Sequence, residues 1–94
     1  MILQSAKDLQ IAPSRIVSLV PSQTELLWHL QLEDETIGIT KFCVHPSHWR
    51  TVKTIVGGTK NIHLSKIAIL SPDLVIANKE ENVKEQVEEL STTV

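Results

Sequence analysis

Apolar and polar positions along the chain follow two periods in turn. Arg15 to Val20 (RIVSLV) is a short, nearly continuous apolar run rich in branched residues, the pattern of a strand covered on both faces in a parallel sheet. It stops at Pro21. Ser22 with Glu25 three residues on matches a capping box, and Leu26, Leu27 and Leu30 follow at helical spacing, so a helix is predicted to start at Ser22. Thr36 to Thr40 (TIGIT) reads as a second strand. Lys41 to Lys53 reads as an irregular stretch with one helical turn around Pro46 to Arg50, and Thr54 to Gly57 as a third, weaker strand. In HLSKIAIL, from His63, the residues Leu64, Ile67, Ala68 and Leu70 share a helical face that Ser71-Pro72 should end. Leu74 to Ala77 is the fourth strand. Asn82 is positioned to cap a last helix, VKEQVEEL, with Val83, Val87 and Leu90 on one stripe. The charges from Lys79 to Glu89 then form a solvated helix face.

Strands alternating with helices through short connections predict the α/β class: a parallel sheet of βαβ units with right-handed crossovers, a Rossmann-like lobe. In open sheets of this kind ligands sit beyond the carboxyl ends of the strands. Four segments lie there: Pro21 to Thr24, Lys41 to Trp49, Gly57 to Lys60 and Asn78 to Asn82. They hold the residues that core packing explains least, among them Phe42, Cys43, His45, His48, Trp49, the Gly57-Gly58 pair and Asn78. A strand that stops at Pro21 and turns straight into a helix aims free N–H groups at that edge, an arrangement suited to carboxylate, phosphate or amide oxygens and equally to an ordinary strand-to-helix turn.

Composition narrows the function classes. The 94 residues are 41% hydrophobic, enough for one modest core. A formal net charge of −2 offers no basic surface for a nucleic-acid backbone. The single cysteine excludes an internal disulfide framework. MILQSAKDLQIAP lacks the unbroken apolar core of a signal peptide, and no apolar run is long enough to span a bilayer.

The chain carries two constellations of chemistry-bearing residues. Cys43, His45 and His48 form C-x-H-x-x-H, a sulfur and imidazole set of the zinc type, but only the distant His63 is available as a fourth ligand, so no metal site is expected. VGGTKN lacks the G-x-x-x-x-G-K-[ST] spacing of a phosphate loop, and no base stands beside a nucleophile, so no catalytic residue is assigned and an enzyme is not expected. His29, between Trp28 and Leu30, reads as a rim residue and Trp49 as an anchor for its loop.

RIVSLVPSQTELL, GITKFCVHP, VGGTKN and SPDLVIANKEEN, in this order and spacing, resemble the amino-terminal lobe of the ABC-transporter solute-binding proteins for cobalamin and iron-siderophores, the helical-backbone metal receptors. The resemblance covers about residues 13 to 90. It implies a receptor of two α/β lobes joined by a long rigid helix, ligand held between them, and docking on a membrane permease. It further implies that Phe42 packs on the ligand, a cobalamin or a ferric-siderophore-like chelate bound without chemistry or cofactor. Two further aromatic positions of the family pocket fall on Thr59 and Asn78, which supply no comparable apolar stacking and shift the expected ligand toward a more polar chelate. A surface glutamate that pairs with permease arginines in the family is Ser65 here.

The ligand-binding residues expected on both arguments are Pro21, Ser22, Gln23, Phe42, Gly58, Thr59 and Asn78. Residues 1–94 read as a partial, truncated first lobe whose STTV end would lead into another strand, with the second lobe absent and an open sheet edge that favours self-association. The family implies a periplasmic or cell-surface location. Without a signal peptide in the chain, a cytoplasmic ligand-binding or regulatory module of the same fold stays open as the alternative.

Overall fold

A computed structural model describes residues 2–3, 14–43, 46–78 and 82–91. Among the described residues, five strands form one sheet in the order β1-β5-β2-β3-β4, every neighbouring pair parallel. In chain order the elements are β1 Ile2–Leu3, β2 Ile16–Ser18, α1 Pro21–His29, β3 Thr36–Ile39, α2 Trp49–Val52, β4 Thr54–Ile55, α3 Leu64–Leu70, β5 Leu74–Ile76 and α4 Lys84–Ser91. The parallel α/β expectation holds, with strands shorter than their apolar runs. No sequence signal marks β1, because two residues become a strand only through a partner: Ile2 pairs with Val75 and Leu3 with Ile76.

The continuous apolar runs of β2 and β5 follow from burial on both faces. Successive side chains point to opposite sides of a strand. Ile16, Leu74 and Ile76 accordingly join Leu27 of α1, Cys43 and Trp49 in one buried cluster. Val17, Leu19, Val75 and Ala77 join Val56, Ile62 and Ile67 of α3 in the other, against which Val87 of α4 packs. The exposed face of α4 carries Lys84, Glu85, Glu88 and Glu89, as its charge run implied. Leu90's side chain, Lys79, His45 and the STTV residues 92–94 lie outside the described residues.

Ser22 is not the cap of α1. The N-cap is Val20, with extended backbone (φ −126°, ψ 114°) and no side-chain cap, while Pro21 opens the helix and Ser22 is exposed one position further in. Proline suits that first position, since its fixed φ is helical and its missing N–H would have had no partner. The Val20 carbonyl takes the N–H groups of Gln23 (3.1 Å) and Thr24 (3.0 Å). Glu25 therefore closes no capping box. Replacing Ser22 with alanine should shift stability by less than about 0.5 kcal/mol in urea denaturation, against roughly 1 kcal/mol for loss of a true cap. A measured loss near the larger figure would restore Ser22 to the cap. Leu30 also departs from expectation: it ends α1 as C-cap and is 46% exposed.

Thr24, by contrast, faces inward. Its hydroxyl oxygen lies 2.8 Å from Ser18 Oγ, 3.1 Å from the Val20 carbonyl and 3.0 Å from Cys43 Sγ, so the polar residues beside Pro21 satisfy one another inside the core.

The opposite, amino-terminal edge of the sheet is closed by Asp73. Its carboxylate accepts the Ser14 and Arg15 N–H groups at 3.0 and 3.1 Å and the Ser14 hydroxyl at 3.0 Å, while Arg15 donates to the Leu70 carbonyl. Burial pushes the Asp73 carboxyl up, but these hydrogen bonds outweigh it and hold the group below the ordinary 3.8.

Candidate functional site

At the carboxyl ends of the strands the four connecting segments are tied together. The loop after β5 folds back through Asn82, whose side-chain oxygen accepts the Asn78 N–H at 3.0 Å. Its amide nitrogen donates to the Leu19 carbonyl beyond β2 (3.1 Å) and to the Thr59 carbonyl beyond β4 (3.0 Å). Asn82 is 2% exposed. The expected helix cap is thus a cross-strand tie, because a short amide at this point reaches three loops before α4 begins at Lys84. The loop after β3 joins separately, through the Lys41 N–H bonded to the Gly57 carbonyl at 2.9 Å.

Gly57 and Gly58 have distinct reasons to be glycine. Gly57 has φ +110°, a conformation that side chains disfavour, and a Cβ there would stand 2.4 Å from the Asn61 carbonyl oxygen. This tight turn pairs Gly57 with Ile62 and brings the Gly58 N–H to the Asn61 carbonyl at 3.0 Å. Gly58 is buried beneath Phe42, whose Cε2 would lie 3.3 Å from a Cβ at residue 58. Phe42 is 52% exposed, and the Lys41 ammonium lies 5.3 Å from its ring centroid.

The seven expected ligand residues thus sort by position. Phe42 rests on Gly58, and Thr59 and Asn78 meet through Asn82. Pro21, Ser22 and Gln23 open α1 just past Leu19, the carbonyl that Asn82 holds. Gly58 acts as the seat of the Phe42 ring. Sequence reasoning missed the tie made by Asn82 and the place of Lys41 beside the ring. An Asn78-x-x-x-Asn82 spacing across a strand-to-helix turn was the available signal for the first.

Cys43 and His48 are committed to different surroundings. Cys43 is fully buried, its sulfur 3.0 Å from Thr24 Oγ1 and 3.2 Å from Thr40 Oγ1. His48 Nε2 lies 2.6 Å from Glu33 Oε1 at the surface. The same oxygen accepts the Trp49 indole N–H at 2.8 Å, and Lys53 donates to the Glu33 carbonyl. Trp49, fully buried, anchors its loop as expected. Hydrogen bonds from His48 and then Trp49 hold the Glu33 carboxyl below the ordinary 4.5. His29 lies exposed at the end of α1 with its ring 5.1 Å from that of Trp28.

No protein-family model matches the chain. An ABC transporter substrate-binding lipoprotein of Bacillus subtilis (strain 168), YvrC, is 37% identical over 67 residues, 71% of this chain and 21% of that protein. The vitamin B12-binding protein of Vibrio vulnificus (strain CMCP6) is 33% identical over 91 residues, 96% of this chain and 33% of that one. The crystal structure of the periplasmic vitamin B12 binding protein BtuF of Vibrio cholerae superposes with a TM-score of 0.77 at 28% identity, over 85% of this chain and 31% of that one. In sequence and in fold, the chain is similar to one part of the substrate-binding proteins of ABC transporters.

It spans about a fifth to a third of the length of the substrate-binding proteins it matches. The resemblance carried by the strand-PSxTE-helix and PDLVIA segments is borne out in sequence and fold. No helix among the described residues is long and apolar enough to cross a membrane.

Proposed function

We propose that this chain supplies one wall of the solute site of an ABC importer's binding protein, taking a cobalamin or ferric-siderophore-like chelate without chemistry. The ligand lies at the carboxyl ends of β2 to β5, against Pro21, Ser22, Gln23, Phe42, Thr59 and Asn78, with Gly58 beneath the ring. The observation that carries this reading is Phe42 itself. It is the chain's single phenylalanine, and its ring is half exposed on a buried glycine at the sheet edge where α/β folds take ligands. An aromatic face held out of the core has apolar area to gain from a flat ligand. The likeness to ABC transporter substrate-binding proteins supports delivery to a membrane permease and a periplasmic or cell-surface location. The alternative of a cytoplasmic regulatory module has no observation in its favour.

Calorimetric titration of the 94-residue chain with cyanocobalamin and with ferrichrome, beside a Phe42→Ala variant, tests the site. The variant should bind whichever chelate the parent takes about tenfold more weakly, near 1.4 kcal/mol, with unchanged thermal unfolding. Equal affinities in parent and variant would remove Phe42 from the site.

A further inference from the structure

Lys41 has a neighbourhood besides the Phe42 ring. It borders an open depression of about 390 Å³ whose other walls are Ser47, Arg50, Thr51 and Ile55. Among the described residues, no acidic side chain lines it. In a chain of net charge −2, two cations bordering one concavity, with no carboxylate among its described walls, favour an anion there. Neither cation is engaged by an anion. The Arg50 guanidinium has no ion pair or hydrogen bond among the described residues, and the Lys41 ammonium has only the face of Phe42. Glu33, bound to the same loop, is occupied by His48 and Trp49. The Thr51 hydroxyl donates to the His48 carbonyl at 2.8 Å, which leaves Ser47 as the neutral donor on the rim.

The geometry points to an oxyanion subsite in this depression, with the Arg50 fork and the Lys41 ammonium receiving a carboxylate or phosphate group. Its volume is at the small end of ligand pockets, roughly 300–1,000 Å³, and suits one arm of a ligand. Because Lys41 touches both places, one ligand spans them: a chelate with an apolar face for Phe42 and an anionic arm for the depression. The ring half of this rests on the receptor reading above, whereas the anion half rests on the depression alone.

Two arms of one experiment separate these halves. In the first, free citrate is titrated into the 94-residue chain and followed by ¹H–¹⁵N NMR. Saturable shifts should centre on Lys41, Ser47, Arg50 and Thr51, weaken as salt rises, and vanish in a Lys41→Gln, Arg50→Gln double variant while Arg50→Lys retains part of them. Shifts spread evenly over other surface cations such as Lys66 and Lys84, or no shifts, overturn the subsite. In the second arm, ferric citrate, an anionic chelate, is compared with uncharged ferrichrome by calorimetry. The double variant should lose roughly tenfold in affinity for ferric citrate and nothing for ferrichrome. If citrate maps to the depression but Phe42→Ala affects neither chelate, the subsite stands and the receptor reading falls. If both chelates need Phe42 yet ignore the double variant, the subsite falls alone.

Discussion

Replacing Asn82 with alanine should cost about 3 kcal/mol of stability, more than any surface change in this chain. The amide is 2% exposed and makes three hydrogen bonds to three different loops. Its removal strands the buried Leu19 carbonyl without water, while half-buried Thr59 and Asn78 recover part of their loss from solvent. A stranded buried group costs about 1–3 kcal/mol, which sets the total. Asn82→Asp should be worse than alanine, since a carboxylate would then face two carbonyl oxygens that now receive N–H donors. Urea denaturation measures both. A loss below about 1 kcal/mol for alanine would mean that the strand-end loops hold their places without the tie.

Gly57→Ala should be of similar size, roughly 3 kcal/mol. Two penalties add: a φ of +110° that alanine resists, and a new methyl 2.4 Å from the backbone oxygen of Asn61. Backbone cannot rotate away as a side chain would. Relief requires the Gly57–Ile62 turn to open, and with it the Lys41 to Gly57 bond that places Phe42. Thermal unfolding reports the first effect, and chelate affinity in the surviving folded fraction reports the second. A variant as stable as the parent would show that the turn adapts freely.

The parts legible in the sequence are those decided by period and burial. Two-sided burial makes β2 and β5 read as unbroken apolar runs, and the turn at Pro21, the α3 stop before Ser71-Pro72 and the anchoring of Trp49 follow from local chemistry. What escaped depends on partners distant in sequence. Ser22 looked like a cap because the sequence shows a hydroxyl before a helix, not that Pro21 already occupies its first position and that Val20 is the residue left extended. Asn82 carries the same cap chemistry, but its amide is claimed by Leu19, 63 residues away. β1 has no pattern of its own and exists through Val75 and Ile76. At the candidate site, Phe42 was legible by residue type and by family resemblance. Lys41 and Arg50 were not, since nothing in their spacing says that both border one concavity.

The burial of Cys43 turns the chain's only thiol into a built-in gauge of opening. Its sulfur sits between Thr24 of α1 and Thr40 at the end of β3, so an alkylating reagent reaches it only when helix and sheet part. The labelling rate therefore counts excursions of the very seam that fixes where α1 begins. A bound chelate that pins this edge would slow that clock without touching the sulfur.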